Sequence, residues 1–265
     1  MNIGETGASR TGGTGAPKAA GQGAPGAGDV WFRPSRSRRE TPPLTRERIV
    51  REAVALLDEE GAERLTMRRL AERLNTGSTT LYWHVKTKDD VLDLALDAIF
   101  GDVGLPPAHT GDSGDIGDAE KAGGGRWRED VTALIHGWRS ALLRHPWSAA
   151  ILGRPLMGPN VLDRTEFLHA TLIAAGFTEP HLTAAAYGLS NYVIGSALMQ
   201  ATWRARNEEE ARRVAEEHLR THRDRYPVLA ELGPPIGKDW DGSFALGLAY
   251  LLDGIEAVRG TAPDA

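Results

Sequence analysis

The chain has 265 residues, of which 41% are hydrophobic and 25% charged, and it contains no cysteine. Without cysteine it forms no disulfide, thiolate metal site or thiol nucleophile, and no apolar run reaches the roughly 18 residues that cross a bilayer. The formal net charge of −5 is unevenly spread, because residues 33–88 carry 13 Lys and Arg against 8 Asp and Glu. This division predicts a basic module that meets a polyanion, followed by an acidic module that does not.

The first 43 residues are expected to form no core. Residues 1–30 are mostly Gly, Ala, Thr and Pro, and they cannot bury enough apolar surface to offset the entropy cost of ordering. They also lack the apolar middle of a secretory signal, which favours a cytoplasmic protein. The segment WFRPSRSRRE that follows either contacts DNA as a flexible arm or forms a solvated basic tail. Its arginines are Arg33, Arg36, Arg38 and Arg39.

Three short helices are predicted between residues 44 and 87. Thr45 is placed to cap the first helix, which ends before Gly61, and Thr66 is placed to cap the second, TMRRLAERL. A three-residue turn, NTG, separates the second helix from a short third one, STTLYWHV. A fourth helix begins near Lys88. Two helices joined by a tight turn that contains Gly match the helix-turn-helix plan, in which the second of the pair enters the major groove of DNA.

The row Tyr82-Trp83-His84 is the most unusual feature of this module. Three consecutive helical residues span roughly 300° of the circumference, so the three rings cannot all face one core. Leu81 and Val85, four residues apart, are better suited to the core. The rings then carry hydroxyl, indole and imidazole donors that suit phosphate oxygens and base edges. For Trp83 a buried core ring is the alternative interpretation.

The stretch LTMRRLAERLNTGSTTLYWHVKTKDDVLDLAL resembles the DNA-binding domain of tetracycline-repressor (TetR) family regulators, and LYWHVK is its most specific part. The resemblance is strong over residues 44–100 and continues more weakly from Trp127. It implies an all-α fold in which a helix-turn-helix domain precedes a larger helical domain that binds ligand and dimerises. The helix placement predicts DNA contacts for all of the following residues except Thr66, and the resemblance implies the same contacts and adds Thr66. Base contacts are expected from Arg68, Ser78, Thr79, Thr80 and Tyr82, and backbone contacts from Thr66, Trp83, His84 and Lys88.

Four segments are therefore predicted: a Gly-rich tail with its basic arm (1–43), the helix-turn-helix domain with a connecting helix (44–100), a flexible linker (101–125) and the ligand-binding and dimerisation domain (126–265). In the last segment, helices are expected over 127–144, 161–175, 181–204 and 243–258. The stretch 206–225 has 12 charged side chains in 20, too many to bury, which favours a solvated helix or a mobile loop.

Ligand contacts are predicted at rings and polar groups on otherwise apolar faces and at the bend near residue 154, although core packing also explains such side chains. The candidates are Trp138, Trp147, Arg154, Phe167, His169, Asn191, Tyr192, Met199 and Trp203. In the tetracycline repressors that the chain resembles, a His and an acidic residue hold a magnesium–drug chelate. Gly104, Ile151 and Met199 align with that site, so we expect no metal or cofactor and a small hydrophobic effector instead.

The resemblance also implies a homodimer formed by the helix at 181–204 and the C-terminal helix, and a two-fold symmetric dimer predicts a palindromic operator. The resemblance to the family implies that the chain represses transcription. The alternatives are an activator and a constitutive or architectural DNA-binding dimer without effector. No hydrolase, zinc-protease or nucleotide-binding motif supports an enzyme, and His218 and His222 lie in a charged stretch where a solvated helix face is favoured over a metal site.

Overall fold

Ten α-helices and one 3-10 helix make up the regular structure of the residues that this computed structural model describes, which are 43–105, 116–153, 156–234 and 239–259. The regular structure of these four ranges is entirely helical, as the all-α prediction requires. The α-helices are α1 (Arg46–Glu60), α2 (Met67–Arg73), α3 (Ser78–Tyr82), α4 (Lys88–Gly101), α5 (Ile116–Arg144), α6 (Pro159–Ala174), α7 (His181–Ala205), α8 (Glu208–Thr221), α9 (Pro227–Leu232) and α10 (Trp240–Ala257). The 3-10 helix (Pro146–Ala150) lies between α5 and α6.

The ends of the first two helices follow the predicted capping residues. The Thr45 hydroxyl accepts a hydrogen bond from the Arg48 amide at 3.2 Å, and the Thr66 hydroxyl accepts one from the Arg69 amide at 3.2 Å. Each hydroxyl satisfies one of the amides that a helix N-terminus leaves without a partner. Gly61 ends α1 with a φ of +81°, which suits a residue without a β-carbon.

The turn between α2 and α3 depends on Asn75, which has a φ of +52°. Gly77 has an ordinary φ of −74° and serves as the N-cap of α3. The third helix ends at Tyr82, three residues earlier than predicted, and α4 begins at Lys88 as predicted. Thr87 and Asp90 form a capping box there, in which each side chain accepts a hydrogen bond from the other residue's backbone amide.

One continuous apolar core runs through both halves of the chain. In the first half it contains Ile49 and Leu70 together with Leu81 and Val85 of the α3 region, all at most 2% exposed. Helix α4 packs against α1 on one side and against α5 and α6 on the other. It is therefore one of the elements that connect the two halves, and the 3-10 helix, which packs against α1, is another.

The second half is organised around α7, which packs against α5, α6 and α10. Its helices match the predicted ones closely, except that α5 begins at Ile116, within the segment predicted as a flexible linker. Ala, Glu and Lys at 119–122 favour a helix there, whereas the glycines at 117 and 123–125 do not. Where the domain boundaries fall stays a prediction, and residues 1–42 and 106–115 lie outside the described ranges.

The charged stretch after α7 forms a helix, α8, and not a loop. Arg212, Arg213 and Arg220 each pair with a glutamate three or four residues earlier, at 2.6 Å in each case. Pairs at this spacing lie next to one another on a helix surface and support it. Within the described residues, no helix is long and apolar enough to cross a membrane.

Candidate nucleic-acid interface and effector site

The short helix α3 presents its first turn to solvent. Ser78, Thr79 and Thr80 are exposed, whereas Leu81 is completely buried. The buried leucine anchors α3 on the core, and this fixes the direction in which the three hydroxyl-bearing side chains point. They form the leading end of a helix whose N-terminal residues are available for base contacts.

The three rings after Leu81 are divided between surface and partial burial. Tyr82 is 48% exposed and Trp83 is 85% exposed, while His84 is half-buried. The interpretation of Trp83 as a core ring is therefore wrong. An indole with this degree of exposure, next to an exposed phenol, has its ring and its N–H donor available to a partner.

The side chains predicted to contact DNA on either side of α3 differ in the hydrogen bonds that they already make within the protein. The Arg68 side chain is exposed and pairs with Glu72 at 2.9 Å, and an exposed pair of this kind is weak enough to be exchanged for a phosphate or a base. The Thr66 hydroxyl is used as the α2 cap. The Lys88 ammonium donates to the Ala62 carbonyl at 2.8 Å, which fixes its position and leaves two of its three N–H donors.

Arg73 has a structural role that the sequence did not predict. Its guanidinium contacts Glu59 at 2.5 Å and Glu52 at 3.1 Å, and thereby ties α2 to α1. The bond to Glu59 raises the pKa of Arg73, with a smaller contribution from Glu52, and the same bond lowers the pKa of Glu59. Arg69 likewise contacts Glu60. These bonds link α2 to α1 at the surface of the domain. The predicted arm at Arg33–Arg39 lies outside the described residues.

Comparisons with known proteins agree with this helix-turn-helix geometry. The family described as "Bacterial regulatory proteins, tetR family" matches residues 49–95, and "Tetracyclin repressor-like, C-terminal domain" matches residues 120–259. The chain belongs to the TetR family.

Relatives of this TetR-family chain include regulators from actinobacteria. It is 47% identical to an HTH-type transcriptional regulator of Saccharopolyspora erythraea, covering 88% of this chain and 93% of the relative. It is 34% identical to the HTH-type transcriptional repressor DrrR1 of Streptomyces coeruleorubidus, covering 87% and 83%. Among solved structures, it is similar to the Streptomyces coelicolor TetR family protein ActR in complex with actinorhodin, with a TM-score of 0.71, 31% identity and coverage of 83% and 100%.

The carboxylate of Asp97 connects α4 to the start of α6. It accepts hydrogen bonds from the Asn160 side-chain amide at 2.9 Å and from the Val161 backbone amide at 3.0 Å. Helix α6 has Gly158 at its N-cap and no capping side chain of its own, so Asp97 supplies the cap from another helix. Glycine is required there, because a β-carbon on Gly158 would lie 2.2 Å from the Asp97 carboxylate carbon.

Arg164 strengthens the same junction from within α6. Its guanidinium is buried and donates to the carbonyls of Asn160, Gly101 and Val103 at 3.0, 2.8 and 2.6 Å. Two of these carbonyls belong to the end of α4 and the residues after it. These bonds tie α6 to the C-terminal end of α4. Asn160 lies in the same network, because its side-chain amide donates to Asp97 and its carbonyl accepts from Arg164.

A second junction joins α1 to the 3-10 helix. One carboxylate oxygen of Asp58 lies 2.7 Å from His145 Nδ1 and accepts a hydrogen bond from Trp147 Nε1 at 2.6 Å. Trp147 was predicted to contact ligand, and the structure places its polar atom against the DNA-binding half instead. Its indole is mostly buried, as is the imidazole of His145.

The other predicted ligand residues within the described ranges differ in their burial. Trp138 is buried and stacks edge-on with Phe100 of α4, at 6.1 Å between ring centroids. Asn191 and Met199 are exposed on α7. The half-buried candidates are Phe167, His169, Tyr192 and Trp203, and Arg154 lies outside the described residues. The assignment of these residues to a ligand site stays a prediction.

Two polar residues of the interior were missed by the sequence analysis. Arg139 of α5 is 7% exposed and Gln200 of α7 is completely buried, and the two side chains are in contact. Phe244 of α10 lies beside them, with its ring centroid 4.7 Å from the Arg139 guanidinium carbon, and Tyr192 stacks on Phe244 at 5.1 Å. Burial raises the pKa of Tyr192, and the nearby Arg139 cation opposes that shift. This group is the polar centre of the second half.

A cleft of about 510 Å³ opens between α1 and α4, and none of the predicted ligand residues lines it. Its floor is apolar, with Val50, Val54 and Leu94, and its rim includes His145 and Asn160 of the two junctions. The described residues contain no group of three or more His, Asp or Glu side chains that could hold a metal ion. His218 of α8 and His222 at its C-cap are exposed and lie with their rings tilted against one another, with centroids 4.3 Å apart.

Proposed function

We propose that this TetR-family protein is a ligand-responsive transcriptional repressor that binds a palindromic operator and leaves it when a small effector binds the second half. The observation that carries the proposal is the exposed row of Tyr82 and Trp83, held on a helix that is anchored by buried Leu81 and preceded by exposed Ser78. Donors in this arrangement suit the major groove. The hydroxyls of Ser78, Thr79, Thr80 and Tyr82 would face base edges, and the rings of Trp83 and His84 would face the backbone.

A homodimer formed through α7 and α10 is part of the proposal. The two helices pack against one another and carry large apolar side chains on their outer surfaces, and exposed side chains of this kind mark interaction sites when they are contiguous. They are Tyr187, Leu198, Met199, Leu246 and Tyr250. A second copy of the chain, packed against these side chains, would remove them from water. Two-fold symmetry would then place two α3 helices in successive major grooves, about 34–36 Å apart.

Release from DNA would use the two junctions between the halves. Asp97 and Arg164 bind α6 to the end of α4, and Asp58 binds α1 to the 3-10 helix. Any ligand that displaces α6 or the 3-10 helix relative to α5 therefore changes the positions of α4 and α1. Because α3 sits on these helices, its distance from the partner's α3 changes, and the population shifts towards dimers that no longer match the operator.

The complex of the similar protein ActR with actinorhodin supports a small-molecule effector for this chain. The name of DrrR1 supports repression. A regulator of chromosomal genes would act in the cytoplasm, and a role in binding and release gives no reason to propose a catalytic activity. The basic arm would add nonspecific phosphate contacts.

The experiment that tests the proposal is selection of bound duplexes from a random DNA pool, followed by titration of the selected duplex at two salt concentrations. We expect a pseudo-palindrome bound at roughly nanomolar affinity, far more tightly than unrelated DNA. Sequence-independent binding with a steep salt dependence would contradict the proposal. Aromatic compounds are then screened for release of the selected duplex. A compound that tightens binding would indicate the opposite regulatory sign, and no response at all would favour an effector-free regulator.

A further inference from the structure

Arg139 and Gln200 meet in the interior of the second half, where α5, α7 and α10 lie together. Arg139 Nη2 donates to Gln200 Oε1 at 2.5 Å, and Arg139 Nη1 lies 2.7 Å from Asp241 Oδ1. The Asp241 side chain is 79% exposed, whereas Gln200 is fully buried. The guanidinium therefore has its carboxylate partner on the outer side and only a neutral amide on the inner side.

Two donors of this pair have no acceptor among the described residues. Arg139 Nε and Gln200 Nε2 are both buried and unpaired. Turning the Gln200 amide over does not remove the problem, because arginine has no acceptor and must face the amide oxygen. Buried donors in native proteins are nearly always paired, so two unpaired donors on contacting side chains require an explanation. A bound molecule that supplies acceptors at this place provides one.

The surroundings of these donors indicate the kind of molecule. Phe244 lies under the guanidinium, Tyr192 stacks on Phe244, and His136 meets the same ring edge-on at 5.2 Å. The site thus combines one buried cation, two free N–H donors and a wall of rings. A cation with two donors is suited to a carboxylate, which accepts several strong charge-assisted hydrogen bonds, and the rings favour an aromatic group attached to it.

We propose that Arg139 and Gln200 bind the carboxylate of an aromatic acid that serves as the effector, an inference that rests on the effector function proposed above. The carboxylate accepts from Gln200 Nε2 and Arg139 Nε, and it gives the buried cation a second anionic partner beside exposed Asp241. Its aromatic group lies beside half-buried Tyr192, since the ring of Phe244 is already in contact with Arg139, Tyr192 and His136. Binding at this place joins α5 to α7, and α5 leads directly into the 3-10 helix that contacts Asp58.

The test uses the full chain and a panel of aromatic carboxylates with one to four fused rings, from benzoate and 2-naphthoate to anthraquinone-2-carboxylate and tetracene-carboxylate, each with its primary amide. Affinities are measured by isothermal titration calorimetry on the parent and on Gln200→Glu. This substitution keeps the oxygen that Arg139 contacts and replaces the unpaired donor by a negatively charged acceptor. We expect at least one acid to bind the parent more tightly than its amide does. That acid should bind Gln200→Glu at least tenfold more weakly, whereas the amide should bind it as well as or better than the parent.

Arg128 offers a matched control for Arg139. Both arginines lie on α5 and pair with carboxylates of α10, since Arg128 contacts Asp253 at 2.5 Å and Glu256 at 2.7 Å. Arg128→Met and Arg139→Met each remove an α5–α10 ion pair, but only Arg139→Met removes the proposed carboxylate site. We expect the acid to lose affinity for Arg139→Met alone. If Arg139→Met does not fold, which a thermal melt shows, Gln200→Glu still decides the question.

Three results would overturn the inference: no acid of the panel binds the parent, acids bind no better than their amides, or Gln200→Glu binds the acid as tightly as the parent does. In each case ordered water would account for the unpaired donors. Operator binding is measured in parallel with the selected duplex. If a compound releases the parent from DNA, and its affinity is the same for Gln200→Glu and for Arg139→Met as for the parent, only this inference fails. If an acid binds at Arg139 without changing operator affinity, the proposed effector function fails and the binding site stands.

Discussion

Arg73 and Arg139 each hold two helices together, and the two halves of the molecule place them in opposite surroundings. Arg73 lies at the surface and contacts two glutamates of α1, so every charge in that group also has access to water. Arg139 is buried against a neutral amide and the ring of Phe244, with a single exposed carboxylate. Surface pairs are weak individually, whereas buried polar groups are costly to leave unpaired.

The contrast shows how the molecule divides its two tasks. The DNA-binding half keeps its donors and rings at the surface, where a phosphate or a base can reach them without unfolding anything. The second half encloses its polar groups, where they respond to a molecule that enters the interior. Between the halves, Asp97 and Asp58 are the carboxylates that carry hydrogen bonds across. Changes at the junction should therefore affect stability, changes at α3 should affect DNA affinity alone, and changes in surface pairs should have little effect on either.

The largest expected effect is that of Asp97→Ala. The substitution removes the acceptor of the Asn160 side chain and of the Val161 amide, and it uncaps α6. Since an unpaired buried polar group costs about 1–3 kcal/mol, we expect a loss of roughly 2–4 kcal/mol in the free energy of unfolding. Urea denaturation measures this loss. Asp102→Ala is the control, because Asp102 is an exposed residue next to the same helix with only a 3.8 Å contact to Arg144. Equal stabilities for the two variants would contradict the role given to Asp97.

Tyr82→Ala should lower operator affinity about tenfold to a hundredfold, the range expected for one good contact to DNA, without changing the melting temperature. The side chain is half exposed and the core residues around it are untouched. Fluorescence anisotropy with the selected duplex measures the affinity, and Tyr82→Phe separates the hydroxyl from the ring. Val214→Ala, at an exposed apolar residue of α8, is the control for a surface truncation elsewhere. Parent-like affinity in Tyr82→Ala would mean that α3 does not face the groove.

Trp147→Phe should weaken the junction between α1 and the 3-10 helix. It keeps a ring in the buried site but removes the N–H donor to Asp58, which retains His145. We expect a loss of about 1 kcal/mol in stability for the hydrogen bond, with a further loss because the smaller ring leaves a cavity, and unchanged operator affinity in the absence of effector. The effector concentration needed for release should rise severalfold. A variant that responds at the parent's concentration would exclude this junction from the transmission of the signal.

The parts of the fold that were predictable from the sequence are those set by neighbouring residues. Thr45 and Thr66 cap helices through bonds to amides three residues away, and Leu81 and Val85 share one helix face. The sequence left two interpretations open for Trp83, exposed towards DNA or buried in the core, because helical periodicity does not decide where a side chain points once α3 has ended at Tyr82. The charged stretch forms α8 because its pairs are spaced at three and four residues.

The polar groups of the interior depend on which helices pack together, and sequence spacing does not give this. Arg139 and Gln200 are 61 residues apart and meet only because α5 lies on α7. One signal was available: Gln200 continues the buried stripe of Leu189, Val193 and Ala197, where a polar residue is out of place. Asp97 gave a similar signal within the apolar run VLDLALDAIF. A polar residue in an apolar stripe is thus the better guide to such sites than an aromatic ring, which packs well in any core.

The smallest expected effect is that of Arg73→Met, and it should depend on pH. The bond from Arg73 lowers the pKa of Glu59 below its usual 4.5 in the folded state. A carboxyl with a lowered folded pKa stabilises the fold above its unfolded pKa and loses that contribution as the pH falls through the folded value. The difference in melting temperature between parent and Arg73→Met should therefore be present at pH 7 and shrink below about pH 4.5. Thermal melts of both proteins at pH 7 and at lower pH measure it. A difference that stays constant or grows in acid would show that Arg73 acts through packing of its alkyl chain and not through its charge.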